Sequence, residues 1–186
     1  MEDISEQQTR HELEDDSALA EAVKANQIIA SNAFCSLPEA VVRLNTGDAA
    51  PISRRQYDIP FKIAPLVTQQ VNEWLVKGKI VPAPPQCAWN QPILAVPKKD
   101  LQGQKTKIRV CLDPRPLNKI LPDDRFPLPL IRDIFDNLSG QQYFITLDLK
   151  ETYLQLPLHA DDRIKTAFTW NSQQLMFAGA PFGLKP

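Results

Sequence analysis

Seven consecutive residues, Tyr143-Phe144-Ile145-Thr146-Leu147-Asp148-Leu149, limit what this chain can become more than any other stretch. Nearly every position is apolar. A strand apolar on both faces is stable only where neighbouring strands and covering layers keep water from it. The segment therefore predicts a central, buried strand. Asp148 interrupts the pattern, because an ionised carboxylate in apolar surroundings is costly unless it is paired, hydrogen-bonded or bound to a metal ion. Taken alone, Asp148 either caps the turn at Lys150-Glu151 or holds a cation at the C-terminal edge of a sheet.

The rest of the chain alternates between helical and strand-like spacing. Ile63, Val67, Val71 and Trp74-Leu75 recur at helical intervals, with Pro65 in the first turn and Gly78 as the stop. Ile93 to Val96 reads as a strand. Ile108, Val110 and Leu112 alternate with Lys107, Arg109 and Cys111, which gives a second strand with one apolar and one mainly cationic face. The residues from Pro97 to Thr106 are expected to form a long polar hairpin tip. Pro127 and Pro129 lead into a helix carrying Ile131, Ile134, Phe135 and Leu138 on one face, with Gly140 as its cap. Two more strands, Ile164 to Thr169 and Gln174 to Ala178, are expected to turn at Asn171-Ser172. A short strand is expected at Val41, Val42 and Leu44, followed by a turn at Asn45-Thr46-Gly47-Asp48. The class is α+β, with mixed helices and antiparallel strands.

With 17 prolines and only 6 glycines, the connections should be stiff and extended rather than flexible. Pro82, Pro84 and Pro85 crowd one stretch too closely for a helix or a central strand. Cys35, Cys87 and Cys111 are odd in number and far apart. They fit neither a disulfide framework nor a zinc site, and they suit a reducing interior. No apolar run is long enough to span a membrane, and the acidic opening is neither a secretory signal nor a basic transit peptide. An intracellular, cytoplasmic setting is expected.

The net charge of −1 hides an uneven distribution. Acidic residues dominate up to Glu21, and residues 1–40 are expected to be an acidic arm or linker, helical or disordered. Between Val96 and Lys119 the sign reverses: seven cations face Asp100 and Asp113. Such a segment could meet a phosphate backbone, or it could be a solvated hairpin. Asp123-Asp124 and Asp161-Asp162 read as solvated turn or capping residues.

Around Asp148, the run Leu147-Asp148-Leu149-Lys150-Glu151-Thr152-Tyr153-Leu154-Gln155 resembles motif A of reverse transcriptases. Val96-Pro97-Lys98-Lys99-Asp100 and Arg109 through Lys119 resemble the fingers hairpin and the segment after it. Arg125-Phe126-Pro127-Leu128-Pro129 with Leu138-Ser139-Gly140 matches the helix leading into motif A. Lys165-Thr166-Ala167-Phe168 matches the following strand, and Pro181-Phe182-Gly183-Leu184 opens motif B. The blocks keep family order and spacing. On these residues the chain resembles the reverse transcriptases of gypsy-type LTR retrotransposons.

That resemblance implies a partial right-hand polymerase, with a fingers-like region at 41–140 and a truncated palm at 141–186. It implies an RNA-directed DNA polymerase acting on an RNA or DNA primer–template and dNTPs, with two Mg²⁺ ions clamping the attacking and leaving oxygens. Asp148 is then a catalytic residue and metal ligand. Lys98 and Arg109 would fold over the incoming nucleotide, and the amides near Glu151 and Thr152 would face its triphosphate. Tyr153 would lie under the sugar and exclude a 2′-hydroxyl, while Phe182 and Gly183 shape the floor. Arg115 would contact the template, oriented by Asp113. Many gypsy-type elements carry Ser-Gly where this chain has Glu151-Thr152. The family's Tyr-x-Asp-Asp hairpin is not found, so the chain is expected to be inactive by itself. The alternative is a non-catalytic nucleic-acid-binding remnant.

Overall fold

The computed structural model describes residues 17–30, 32–99, 105–123, 125–146, 149 and 151–185. Contacts divide the chain into two units, Met1–Ala33 and Phe34–Pro186. In the first, helix α1 (Ser17–Ile28) is exposed along its described side chains. The second unit holds the core.

Helix α2 (Ala64–Val76) forms where the periodicity places it, with Pro65 in its first turn and Val67, Val71 and Trp74 buried. Gly78 ends it at φ +64°, a conformation glycine adopts without a Cβ penalty. Its N–H reaches the Leu75 carbonyl at 3.0 Å, and the Lys79 N–H reaches that of Trp74 at 2.8 Å. The last carbonyls are thereby satisfied, and the chain reverses into strand β1 (Ile80–Pro82). Sequence periodicity gave no sign of β1. As an edge strand it tolerates its terminal proline, whose missing N–H would break a central ladder.

Strands β2 (Ile93–Lys99) and β3 (Lys105–Leu112) pair antiparallel from Ile93↔Leu112 to Lys99↔Lys105. Pairing continues through Pro97, Lys98 and Lys99, so half of the expected tip is instead strand, with a bulge between Lys98 and Lys99. Only residues 100–104 of that tip lie outside the described residues. Pro97 is compatible with pairing because a two-stranded ribbon leaves one backbone edge open at every position.

Short helices α3 (Arg115–Asn118), α4 (Ile131–Leu138) and α5 (Thr152–Gln155) follow. A 3-10 segment, Ala160–Thr166, precedes strands β4 (Phe168–Trp170) and β5 (Gln173–Phe177). The second strand pair is thus shorter than expected. Ile164 to Thr166 are helical, since the Thr166 hydroxyl donates to the Arg163 carbonyl at 2.7 Å and accepts from the Phe177 N–H at 3.0 Å. Asn171 and Ser172 turn the hairpin with φ +48° and +62°. Strand β5 lies between β1 and β4 in a three-stranded antiparallel sheet. Trp74, Phe168 and Phe177 pack over it, with ring centroids 5.4 and 5.5 Å apart. The architecture is α+β.

Three further expectations need correction. Val41 to Leu44 form no strand; Val42 makes a single bridge to Leu158, Val41 N–H turns back to the Pro38 carbonyl, and Leu44 bonds to side chains. Asp162 is buried rather than solvated: it accepts from the Leu44 N–H at 3.0 Å and from Lys165 Nζ at 2.7 Å. Lys165 Nζ also donates to the Leu44 carbonyl at 2.6 Å, so one ion pair replaces the ladder that residues 41–44 lack. The expected central strand is not present at residues 141–146, which are exposed and without regular structure. No strand among the described residues pairs with them, and an apolar strand without partners gains nothing from extension. Residues 147, 148 and 150 lie outside the described residues, as does Asp124.

Candidate nucleotide and nucleic-acid site

Asp113 and Arg115 flank Pro114, just before and at the start of α3. The Asp113 side chain is 2% exposed. Arg115 donates to it from Nε at 2.7 Å and from Nη2 at 2.6 Å, and the Arg115 backbone N–H adds a bond at 3.2 Å. The Tyr57 hydroxyl donates to the same carboxylate at 3.0 Å. The Arg115 side-chain bond is the main reason the Asp113 carboxyl titrates below its usual range, outweighing the opposite effect of burial. Arg115 is in turn held protonated beyond its already high value, chiefly by that bond. Its side chain is nevertheless 73% exposed. Asp113 fixes one edge of the guanidinium, and the other faces solvent.

The segment after α5 meets the chain leading to Phe182. Leu158 N–H donates to Ala178 at 2.9 Å, and Ala180 N–H donates to Leu156 at 2.9 Å. Gly179 sits between them so tightly that a Cβ there would lie 2.4 Å from the Leu154 carbonyl oxygen. This close backbone approach brings Tyr153 onto Phe182, edge to face, with centroids 5.5 Å apart. Tyr153 as a residue is 54% exposed. Gly183 has φ +85°, and its carbonyl accepts from Asn118 Nδ2 at 2.7 Å. A Cβ at Gly183 would stand 3.4 Å from Pro114 Cγ. The segment carrying Phe182 and Gly183 is thus joined to Tyr153 on one side and to Pro114 and Asn118, which flank Arg115 in the chain, on the other.

Glu151 precedes α5 at φ +51°, a left-handed conformation that costs a non-glycine residue about 1 kcal/mol. Thr152 opens the helix, its hydroxyl bonded to the Leu149 carbonyl at 2.8 Å. Glu151 also lies near Lys79, which is 1% exposed. Lys79 has its Nζ 4.4 Å from the centre of the Phe34 ring. Burial lowers the Lys79 pKa, and the Glu151 charge partly opposes that. Sequence reading missed Lys79, Asn118 and Tyr57. Nothing local marks them, since each acquires its role from a partner distant in the chain.

Arg109 stands on β3 opposite Val96, on the exposed face of the ribbon. Val110 and Leu112 are buried on the other face, as the alternation requires. The Cys111 thiol is pushed up by burial, with Arg109 acting in the opposite sense. Lys98 pairs with Lys107 across the ribbon; both side chains lie outside what is described. Asp148 does as well. Among the described residues no three His, Cys, Asp or Glu side chains cluster to hold a metal ion. The described residues by themselves thus do not make a two-ion site.

A model of the reverse transcriptase (RNA-dependent DNA polymerase) family matches residues 96–186. Those residues include α3, α5 and the segment carrying Phe182. The chain belongs to the reverse transcriptase family. It is 38% identical over 144 residues to the retrovirus-related Pol polyprotein of transposon 412 of Drosophila melanogaster, covering 77% of this chain and 12% of that protein. To the Pol polyprotein of transposon gypsy, from the same organism, it is 36% identical over 144 residues, covering 76% of this chain and 14% of that protein. A solved foamy viral protease–reverse transcriptase in complex with double-stranded DNA superposes with a TM-score of 0.71 at 29% identity. That match covers 90% of this chain and 29% of the viral chain. The family relationship therefore concerns transposon Pol sequences, of whose length this chain spans a small part. Reverse transcriptases as a family use divalent metal ions. No helix among the described residues is long and apolar enough to cross a membrane.

Proposed function

We propose that this chain supplies nucleotide- and template-facing parts of an RNA-directed DNA polymerase, whose reaction is nucleotidyl transfer to a primer end. The observation that carries the reading is the joining of Tyr153, Phe182 and Gly183 to the segment with the Asp113–Arg115 pair. A half-exposed tyrosine suits a sugar or base, and a pre-oriented, always-charged guanidinium suits a phosphate. Tyr153 would lie against the sugar and disfavour a 2′-hydroxyl, with Phe182 and Gly183 beneath. Arg115 would grip the template strand. Lys98 and Arg109 would meet the triphosphate from the β2–β3 ribbon, and the amides at Glu151 and Thr152 would face it from below. Asp148 would be the catalytic carboxylate and supply one oxygen ligand to Mg²⁺. In the same proposal, residues 41–140 act as fingers and 141–186 as palm, in a cytoplasmic setting suited to the free thiols of Cys35, Cys87 and Cys111.

One carboxylate does not compose a two-ion site, so the 186-residue chain should bind primer–template without extending it. The test incubates the purified chain with labelled primer–template, dNTPs and Mg²⁺, following both anisotropy and primer length. Binding at low salt without extension is the expected result. Extension above that of Asp148→Ala would refute the inactivity, and absence of binding at low salt would refute the nucleic-acid reading. The non-catalytic remnant shares the binding but predicts that neither dNTP nor Mg²⁺ alters it.

A further inference from the structure

Lys79 is buried, yet none of the nucleotide and template contacts proposed so far uses its charge. Taking an ammonium out of water is costly unless an anion or an aromatic face replaces the lost hydration. Its Nζ stands 4.4 Å from the centre of the Phe34 ring, within the range of a cation–π contact. Burial is the largest influence on Lys79 and disfavours its charged form; Lys77 adds to that, and the Glu151 charge opposes both.

Backbone bonds fix where this ammonium stands. The Lys79 N–H is held by the Trp74 carbonyl at 2.8 Å, at the end of α2, and the Lys79 carbonyl accepts from Ala178 N–H at 2.9 Å. The next residue, Gly179, lies between Phe34 and α5: a Cβ there would stand 2.9 Å from Phe34 Cε1 and would collide with the Leu154 carbonyl. Cys35 N–H ties the Phe34 segment to the Gln155 carbonyl at 2.7 Å. The ring beside Lys79 is thus fastened to α5, the helix that Glu151 precedes.

Glu151 has reason to need a counter-charge. It is half-buried, and its left-handed backbone (φ +51°) commits the turn to one shape. Its carboxylate belongs to the same turn as the amides proposed to face a triphosphate. A negative charge at that place repels phosphates, and near a protein surface the repulsion is several-fold stronger than in bulk water. We infer that Lys79 is a positioning residue that neutralises the Glu151 carboxylate, so that the turn at Glu151 and Thr152 admits the phosphates of an incoming nucleotide. The inference rests on the proposed function, and it gives the buried ammonium a task performed through Glu151 rather than by touching substrate.

The test follows how far the dNTP complementary to the next template base, with Mg²⁺, tightens binding of the full chain to a labelled primer–template. Lys79→Met keeps an apolar stem of similar length and removes the charge. It should weaken the effect of the nucleotide on the order of tenfold, as loss of one near-surface counter-charge allows. Adding Glu151→Gln should restore the effect to within about twofold of wild type, because no carboxylate then lacks a counter-charge. A lysine that only supports packing predicts no such rescue, since the second substitution repairs no packing. Persistent weakness in the double variant would overturn the inference, as would an undiminished effect in Lys79→Met. Should Lys79→Met fail to fold, Glu151→Gln in the wild-type background decides. A gain of about twofold or less fits a carboxylate already neutralised, and a gain of roughly tenfold overturns the inference. If the dNTP leaves wild-type binding unaltered, the nucleotide reading itself falls, and this inference with it.

Discussion

Residues 34–60 and residues 126–146 both run largely without regular secondary structure, yet they end in opposite conditions. The first stretch reads as irregular and mixed in polarity. It is nonetheless stitched into the molecule: Cys35 N–H reaches the Gln155 carbonyl at 2.7 Å, Val42 N–H reaches Pro157 at 2.8 Å, and Leu44 is 1% exposed between Asp162 and Lys165. The second stretch reads as the greasiest of the chain and is left in water. Leu128 is 80% exposed and Ile145 86%, and the apolar face of α4 shows Ile131 and Phe135 to solvent. Apolar composition creates a demand for burial; only partners with matching shape and free hydrogen-bonding groups meet it. Residues 34–60 have such partners in the 3-10 segment and α5, whereas residues 127–146 stay exposed.

The contrast is most easily broken with paired phenylalanines. Phe168, fully buried beneath Phe177, should lose about 3–5 kcal/mol of stability on substitution by alanine, the transfer and cavity terms acting together. Phe144→Ala should change stability by less than about 0.5 kcal/mol, because its ring is already 65% exposed. Urea denaturation of the two variants measures both. A loss above 1.5 kcal/mol at Phe144 would mean that 126–146 is packed in solution.

A second variant probes the stitching itself. Asp162→Ala leaves the Leu44 N–H and the Lys165 ammonium without their acceptor, and should cost about 3 kcal/mol. Because the damage is to residues 41–46, hydrogen exchange should accelerate there in the variant while 141–146 exchanges rapidly in both proteins. Equal protection of the two stretches in the wild type would erase the distinction.

The smallest effect concerns pH. The Asp113 carboxyl titrates below its unfolded value, mainly through Arg115, so it stabilises the fold above the ordinary aspartate pKa of about 4. That contribution fades as pH falls through the depressed native value. The stability gap between wild type and Asp113→Asn should therefore be widest near neutrality and shrink below about pH 4. A gap independent of pH would show that the Arg115 bonds do not favour the ionised form.

Periodicity alone determined a good deal here. Helix α2 with its glycine stop, the β2–β3 alternation that turns Arg109 outward, and the Asn171-Ser172 turn were all legible, because each depends on residues within a few positions of one another. The Asp113–Arg115 pair was reached through family resemblance, not periodicity. Family resemblance, rather than pattern, made Tyr153, Phe182 and Gly183 candidates. Asp148 was singled out as a charge in an apolar run, and its setting lies outside the described residues.

What the tertiary structure alone decided are the long-range exchanges of hydrogen bonds. Gln56 stands in for a strand at Ile93, Asp162 and Lys165 replace a ladder at Leu44, and Asn118 fastens Gly183. A side-chain amide or carboxylate looks the same in sequence whether water or a distant backbone satisfies it, so no local pattern distinguishes the two. Burial was likewise not a property that residues 143–146 carried by themselves. Strand pairing is a contract between segments, and its free energy exists only when the second segment is there to share the bonds and exclude the water.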